Sequence, residues 1–333
     1  MYGRASVPAL SRQMRITIVT PAPAGSTHGN QITAIRWAGI LKQFGHRVSI
    51  CQSVDHQRAD LLIALHARRS YASVMRFQRQ CSQAPIVVAL TGTDVYRDLK
   101  NDPRAGKALT LAQRIVVLQP KALEQLSDSF RAKARVIYQS VETSDRVSNR
   151  SSMLRSFDIC VIGHLRSVKD PFRAAMAARL LPDSSRIRIL QIGAAMTTAM
   201  ATRAHAETER NHRYQWFGAL ARTRMLRILT RSQLCVLSSH MEGGANVLSE
   251  AIVAGVPVLA SRIDGNVGIL GADYPGLFEV GNTRQLARLL IRAETDADFL
   301  SDLRQRVRKL APLFNPQRER RAWADLLREL QCG

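Results

Sequence analysis

The stretch that most constrains the fold is Glu242 to Glu250, which reads E-G-G-A-N-V-L-S-E, together with its flanks. An apolar run at 234–237 precedes it, and Ala251–Gly255 and a second apolar run at 256–261 follow it. Strand, glycine-rich turn, helix, glycine and strand in this order predict a βαβ crossover, which requires parallel strands. The chain is therefore expected to be an α/β protein.

The same stretch has the features of a site for a nucleotide sugar. Its glycines allow a tight turn close to a ligand, and the next helix offers free N–H groups and a positive end to an anion. The backbone groups expected there belong to Gly243, Gly244, Asn246, Val247 and Leu248. Glu242 and Glu250 would repel a phosphate, so they are better suited to hydroxyl groups of a sugar or a ribose. Taken singly, each glutamate could equally be an ordinary surface residue.

The amino-terminal half predicts a second set of parallel strands. A strand-like run at 15–20, a small-residue loop at 25–30, a helical repeat from Ile32 to Phe44 and a strand from Val48 form another βαβ unit. Further apolar runs at 60–65, 86–90 and 115–118 each end in polar residues. Since parallel strands end at one edge of a sheet, these polar residues predict a ligand site along that edge.

The candidate acceptor residues at that edge are Thr27, Asn30, His66, Arg68, Arg69, Thr93 and Asp94. The cations among them suit a small oxyanion. Other interpretations remain open for three of these residues. Asn30 and Asp94 can be helix caps, and His66 can be a packed, hydrogen-bonded histidine.

With 333 residues, the chain has room for two domains. The predicted division is a disordered extension at 1–13, a Rossmann-like domain at 14–145, a second at 157–310 and a final helical segment at 311–333. The polar stretch from Ser140 to Ser156 marks the boundary. The first thirteen residues lack the apolar core of a signal peptide.

The formal charge of +22 makes an RNA- or membrane-surface-binding protein a rival hypothesis. Arginines, 41 of the 48 basic residues, are spread from end to end, and aromatic residues make up only 5% of the chain, which is poor material for base stacking. This composition favours small anionic ligands and makes nucleic acid an unexpected partner. No apolar run approaches the roughly 20 residues of a membrane helix. Five dispersed cysteines predict reduced thiols, no zinc site and a cytoplasmic location.

The string Glu-x7-Glu, followed by Ala251 and by Gly-x-Pro-Val at 255–258, resembles the donor motif of retaining GT-B glycosyltransferases of family 4. Three further strings, A-L-H-A-R-R-S, L-T-G-T-D-V-Y and G-H-L-R-S-V-K-D-P, are similar to those of the selenosugar synthases of selenoneine biosynthesis. The resemblance extends from about Arg15 to the end of the chain. It implies two Rossmann-like domains that face each other across a cleft, with the final helix crossing back to the first domain.

The resemblance also implies roles for single residues. Glu242 would bind the hexose, Glu250 the ribose, and Lys169 the leaving diphosphate. The arginine usual in family 4 is replaced here by His164, and Arg166 is the expected source of the missing charge. The strand at 214–220, with Gly218, would end near the nucleobase, and the loop 265–268 near the sugar, although a plain turn explains that loop equally well. Ser239 is a further donor residue.

The function implied is transfer of the hexose of UDP-N-acetylglucosamine or UDP-glucose to selenophosphate, with release of UDP and phosphate and formation of a 1-seleno sugar. The expected catalytic residues are Glu242, Lys169 and His66. Neither a metal nor a cofactor is expected, because cations and N–H groups that are already aligned on the diphosphate can stabilise its charge. The alternative within the same fold is a glycosyltransferase that uses another small acceptor.

Overall fold

The structure is a computed structural model, which describes residues 13–26, 28–55, 58–92, 94–142 and 156–331. The predicted acceptor residues Thr27 and Thr93 lie outside the described residues, as do the predicted extension up to residue 12 and most of the predicted linker. Contacts divide the chain into two compact units, one formed by residues 1–140 with 315–333 and the other by residues 141–314.

The first unit contains a parallel sheet of six strands in the order β2-β1-β3-β4-β5-β6. The strands are β1 (Arg15–Val19), β2 (Arg47–Cys51), β3 (Leu61–Leu65), β4 (Ile86–Leu90), β5 (Arg114–Val117) and β6 (Ala134–Val136). Every residue of β3 and β4 is buried, because helices cover both faces of a parallel sheet. These two strands read as unbroken apolar runs in the sequence for that reason.

The helices of this unit are α1 (Gly29–Gln43), α2 (Tyr71–Gln80), α3 (Leu99–Asn101), α4 (Pro103–Leu111), α5 (Asp128–Ala132) and α13 (Pro316–Gln331), with a π-helical turn at Asp94–Asp98 and a 3-10 turn at Pro120–Gln125. Helix α13 packs on the first sheet, where Trp323 meets Trp37 edge to face at 4.8 Å. The buried Glu319 carboxylate accepts hydrogen bonds from Trp37 Nε1 and from the backbone N–H of Ser140, both at 2.8 Å. The last helix is thus joined to the first unit by both an apolar and a polar contact.

The second unit contains another parallel sheet, in the order β12-β11-β10-β7-β8-β9. Its strands are β7 (Phe157–Ile162), β8 (Ile187–Ile192), β9 (Tyr214–Trp216), β10 (Leu234–Leu237), β11 (Val258–Ser261) and β12 (Leu277–Phe278). Its helices are α6 (Arg173–Ala178), α7 (Thr198–Arg210), α8 (Arg222–Arg231), α9 (Asn246–Val253), α10 (Asp264–Leu270), α11 (Thr283–Thr295) and α12 (Ala297–Leu310), with 3-10 turns at Ser167–Lys169 and Ala311–Phe314. The βαβ crossover predicted around Glu242–Glu250 is confirmed as β10, α9 and β11.

One local prediction is wrong, and one of the open alternatives is excluded. The segment 265–268 is not a loop but the centre of α10, because Asn266, Ile269 and Leu270 form a buried helical face that the glycines obscure in the sequence. Asn30 is not a helix cap, since α1 already begins at Gly29, with His28 as the residue before it.

Within the described part of the chain, no helix combines the length and the apolar character needed to span a bilayer. Cys160 and Cys235 are buried thiols, whereas Cys51 and Cys81 are half-buried. Cys332 lies outside the described residues.

Candidate active site

The second sheet reverses its strand order between β7 and β10, which lie side by side although β8 and β9 come between them in sequence. Ligands of open parallel sheets bind at such a switch point, just beyond the carboxyl ends of the strands. The turn 167–169 follows β7, and residues 238–245 follow β10. Both segments carry predicted donor residues, so Lys169 and Glu242 lie at this point of the fold.

Lys169 and Glu242 are brought together there. The Lys169 ammonium donates a charge-assisted hydrogen bond to Glu242 Oε1, although the two residues are 73 positions apart in the chain. Their side chains are 23% and 11% exposed, so the pair is only partly open to solvent. An ion pair of this kind is stronger than one on an open surface, because solvent screens it less.

Serine hydroxyls at the ends of two strands, β10 and β11, hold this pair in place. Ser239 donates to Glu242 Oε1 at 2.6 Å, and Ser238 donates to the carbonyl oxygen of Asp170 at 2.8 Å. Ser261, at the end of β11, donates to the carbonyl of Ser239 at 2.6 Å. Asn266 then donates to the Ser261 carbonyl at 2.9 Å. The carboxylate of Glu242 is therefore oriented by a continuous network that the sequence pattern did not reveal, apart from Ser239.

A glycine sets the distance between α10 and the turn that carries Glu242. A Cβ atom placed on Gly265 would lie 2.0 Å from the Glu242 carbonyl oxygen, which is far inside van der Waals contact. Helix α10 thus packs directly against the Glu242 backbone. The sequence did not reveal this contact, because residues 265–268 were predicted to be a loop, and only the tertiary structure explains why a glycine stands there.

Glu250, the second predicted carboxylate, lies on the first turns of α9 and is buried. Its Oε1 accepts a hydrogen bond from Arg222 Nη1, at the start of α8. Arg222 was not among the predicted site residues, since one arginine among 41 carries no distinguishing sequence signal.

The predicted backbone groups at the amino end of α9 differ in burial. The residue before the helix, Ala245, provides no side-chain cap. Gly243 is buried, whereas Gly244, Asn246 and Val247 are half-buried. The N–H of Leu248 is bonded to the Ala245 carbonyl at 2.9 Å, and its side chain is fully buried. Leu248 therefore contributes packing in this structure.

The turn after β7 carries the residues that stand in place of the family arginine. Arg166 is exposed and His164 is half-buried. The backbone is closely packed here, because a Cβ atom on Gly193 would lie 2.0 Å from the Gly163 carbonyl oxygen. Gly218, with a positive φ of 65°, accepts the N–H of Gly193 at 2.8 Å, so the ends of β7, β8 and β9 meet through glycine backbone.

The first unit brings together a separate polar cluster beyond β3 and β4. His66 is buried and has a φ of 72°, an unusual value for a residue other than glycine. Its Nδ1 lies 4.0 Å from Asp94 Oδ2, and its Nε2 lies 3.6 Å from Asp98 Oδ2. Backbone strain combined with buried carboxylates is typical of a functional site.

The carboxylates of this cluster are largely occupied by protein donors. Asp94 is fully buried and accepts backbone N–H groups of Ala67 at 3.1 Å, Gly92 at 2.8 Å and Thr91 at 3.1 Å. It thereby ties the loop after β3 to the loop after β4. Asp98 accepts a hydrogen bond from Arg68 Nε at 2.9 Å. Asp98 was not among the predicted site residues, and no pattern in the sequence pointed to it.

Titration behaviour follows from this arrangement. Burial lowers the pKa of His66 below 6.5, and the nearby Asp94 opposes that effect only in part. Burial alone would raise the pKa of Asp98, but hydrogen bonds from Arg68 and Arg97 outweigh it and lower the pKa below 3.8. The cluster therefore contains a neutral imidazole beside an ionised, arginine-bound carboxylate near pH 7.

Two further predicted acceptor residues belong to the first unit: Arg69 is exposed and Asn30 lies on the first turn of α1.

Among the described residues, no group of three or more His, Cys, Asp or Glu side chains is arranged to hold a metal ion. An Asp-x-Asp string occurs at Asp296 and Asp298, at the start of α12. The Asp296 carboxylate accepts the backbone N–H of Phe299 at 2.9 Å, which makes it a helix cap.

Comparison with known families and structures agrees with this architecture. Residues 148–311 match the family described as Glycosyl transferases group 1. This segment is therefore similar to group 1 glycosyltransferases. It contains the Lys169–Glu242 pair, Glu250 and the whole second sheet, so these residues of the candidate donor site lie within the matched segment.

Solved structures extend the similarity to the first unit. The chain resembles Anabaena HepE in complex with UDP and glucose, with 15% identity, a TM-score of 0.74, and coverage of 95% of this chain and 100% of that one. It also resembles the sucrose-phosphate synthase of Thermosynechococcus elongatus, with 15% identity, a TM-score of 0.75, and coverage of 96% and 100%. The Escherichia coli protein described as trehalose-6-phosphate bound with UDP-2-fluoro glucose has 10% identity, a TM-score of 0.70, and coverage of 95% and 99%. The predicted α/β fold of the GT-B type, with its two Rossmann-like parallel sheets, is confirmed.

Proposed function

We propose that this group 1 glycosyltransferase transfers a hexose from a UDP-sugar, UDP-N-acetylglucosamine or UDP-glucose, to selenophosphate. The selenium lone pair forms a bond to the anomeric carbon as the carbon–oxygen bond breaks, and the electron pair of that bond leaves with UDP. Hydrolysis of the phosphorus–selenium bond by water then gives a 1-seleno sugar and phosphate. The product would serve selenoneine biosynthesis.

The observation that supports the donor half of the proposal is the Lys169–Glu242 pair at the switch point of the second sheet. A cation fixed there can meet the departing diphosphate, and a carboxylate oriented by Ser239 can accept hydroxyl groups of the hexose. Structural neighbours were solved with UDP and glucose or with UDP-glucose, which supports a uridine nucleotide as the donor. No metal ion or cofactor is part of the proposal, because Lys169 and the amino end of α9 supply positive potential.

The acceptor half of the proposal concerns the polar cluster beyond β3 and β4. It depends on the resemblance of the strings around His66 and Asp94 to selenosugar synthases, and on the cations Arg68 and Arg69 beside them. A second candidate, transfer to another small acceptor, is favoured by one contact. Arg68 is bound to Asp98, so it offers less free positive charge to an oxyanion than the sequence suggests.

The decisive experiment incubates the protein with each UDP-sugar, with and without selenophosphate, and measures UDP by a coupled assay and the 1-seleno sugar by mass spectrometry. Selenophosphate-dependent UDP release with a selenium-containing sugar is the expected result. UDP release that requires a sugar alcohol or another acceptor instead would reject selenophosphate and support the second candidate.

The donor site is tested by Glu242→Gln, which keeps the size of the side chain and removes the charge that binds Lys169. We expect turnover to fall by a factor of about 10² to 10³, as for other residues that act on the transition state. The thermal unfolding temperature should change little. Glu209→Gln, on the exposed face of α7, is the matched control. Activity near that of wild type in Glu242→Gln would remove the donor-site assignment.

A further inference from the structure

Each of the two glutamates of the 242–250 stretch is paired with a cation from another part of the second unit. Lys169, after β7, holds Glu242, and Arg222, at the start of α8, holds Glu250. Lys169 belongs to the proposed donor machinery, whereas no role has been assigned to Arg222. Arg222 stands to Glu250 as Lys169 stands to Glu242, a cation bound to one carboxylate oxygen.

The environment of Glu250 explains why it needs a cation. Its side chain is only 3% exposed, and a buried carboxylate is costly unless it is paired and hydrogen-bonded. Among the described residues, Arg222 is the one whose side chain forms a hydrogen bond to it. The arginine itself is 49% exposed, so the pair links the interior of α9 to the surface.

The geometry of the pair also determines what Glu250 can still bind. Arg222 donates through Nη1 to Oε1, which leaves Oε2 as an acceptor. This charge-assisted hydrogen bond holds Oε1 in place and thereby limits the positions that Oε2 can take. Neighbouring hydroxyl groups on one sugar ring would then meet a carboxylate whose position is restricted by Arg222.

We propose that Arg222 is a positioning residue that orients Glu250 to receive the two vicinal hydroxyl groups of the ribose of a uridine nucleotide. This inference rests on the proposed function, which makes the second unit a UDP-sugar site. Arg222 acts through Glu250 and not through the phosphates. Its contribution to affinity therefore depends on the ribose hydroxyls.

The test compares the binding of UDP and of 2′,3′-dideoxy-UDP by isothermal titration calorimetry in wild type, Arg222→Gln and Arg222→Lys. Arg222→Gln is expected to weaken UDP about 10- to 100-fold, the value of a hydrogen bond to a charged group. Its affinity for 2′,3′-dideoxy-UDP should stay within about two-fold of wild type. Arg222→Lys should recover a large part of the loss with UDP, since it restores the positive charge.

Arg224→Gln is the matched control, because Arg224 is an exposed arginine on the same helix. Equal losses with UDP and the dideoxy compound in Arg222→Gln would overturn the inference, and so would UDP affinity equal to that of Arg224→Gln. If Arg222→Gln does not fold, the same comparison in Arg222→Lys decides, with a smaller loss that must again be confined to UDP. If wild type fails to bind UDP, the proposed function itself falls. The two failures are thus distinguishable.

Discussion

Gly265→Ala is the substitution whose effect can be worked out most directly from the structure. The new Cβ would lie 2.0 Å from the Glu242 carbonyl oxygen and 2.8 Å from its carbonyl carbon. Carbon and oxygen atoms of this type normally approach no closer than about 3.3 Å, so α10 and the Glu242 turn must separate by about 1 Å or more. The atoms in contact belong to the backbone, so a change of side-chain rotamer cannot relieve the clash.

Two magnitudes follow from this displacement. Overpacking of a dense interior lowers the free energy of unfolding by about 1 to 3 kcal/mol. Each kcal/mol lost lowers Tm by about 2 to 4 °C in a unit of this size. A misplacement of about 1 Å in a catalytic group costs about 10²-fold in rate. Because the displaced residue is the proposed hexose ligand, UDP affinity should fall much less than the rate of UDP release from the UDP-sugar.

The assays are differential scanning fluorimetry, UDP release under acceptor saturation and calorimetric UDP binding. Gly39→Ala is the control, since a Cβ at that position in α1 meets no atom within 4 Å. It should be neutral or stabilising by up to about 1 kcal/mol, because alanine is the better helix former. A rate within two-fold of wild type in Gly265→Ala would refute the idea that contact with α10 sets the position of Glu242.

Two further predictions concern stability. Burial lowers the pKa of His46 below 6.5, so the unfolded state binds a proton near pH 6 that the native state does not. The free energy of unfolding should therefore decrease as the pH falls through 6.5 towards the pKa of the folded state. His46→Asn should reduce this pH dependence, measured by urea titrations at about pH 7.5 and 5.5. An unchanged pH dependence in the variant would contradict the assignment. Glu319→Ala leaves the buried donors of Trp37 and Ser140 without their shared acceptor, and should lower the free energy of unfolding by about 2 to 6 kcal/mol in the same assay. A loss no larger than that of the exposed Glu124→Ala would show that this contact is unimportant.

The sequence was informative wherever local chemistry repeats along the chain. Unbroken apolar runs such as Leu61–Leu65 and Ile86–Leu90 predict buried parallel strands, because only such strands bury both faces. The stretch from Glu242 to Glu250 predicts strand, turn and helix from its glycines and apolar residues alone. The helical segment 265–268 was missed because Gly265 is explained by close packing against another segment, which no local pattern encodes.

The sequence by itself determined the α/β class, the two sets of parallel strands and the polar residues at strand ends, since these depend on periodicity and local conformational preference. Only the tertiary structure decided which charges meet. It paired Lys169 with Glu242 and Arg222 with Glu250, and it tied Arg68 to Asp98. The physical reason is that an ion pair joins residues distant in sequence. With 41 arginines available, the packing of strands and helices selects the few that face a buried carboxylate.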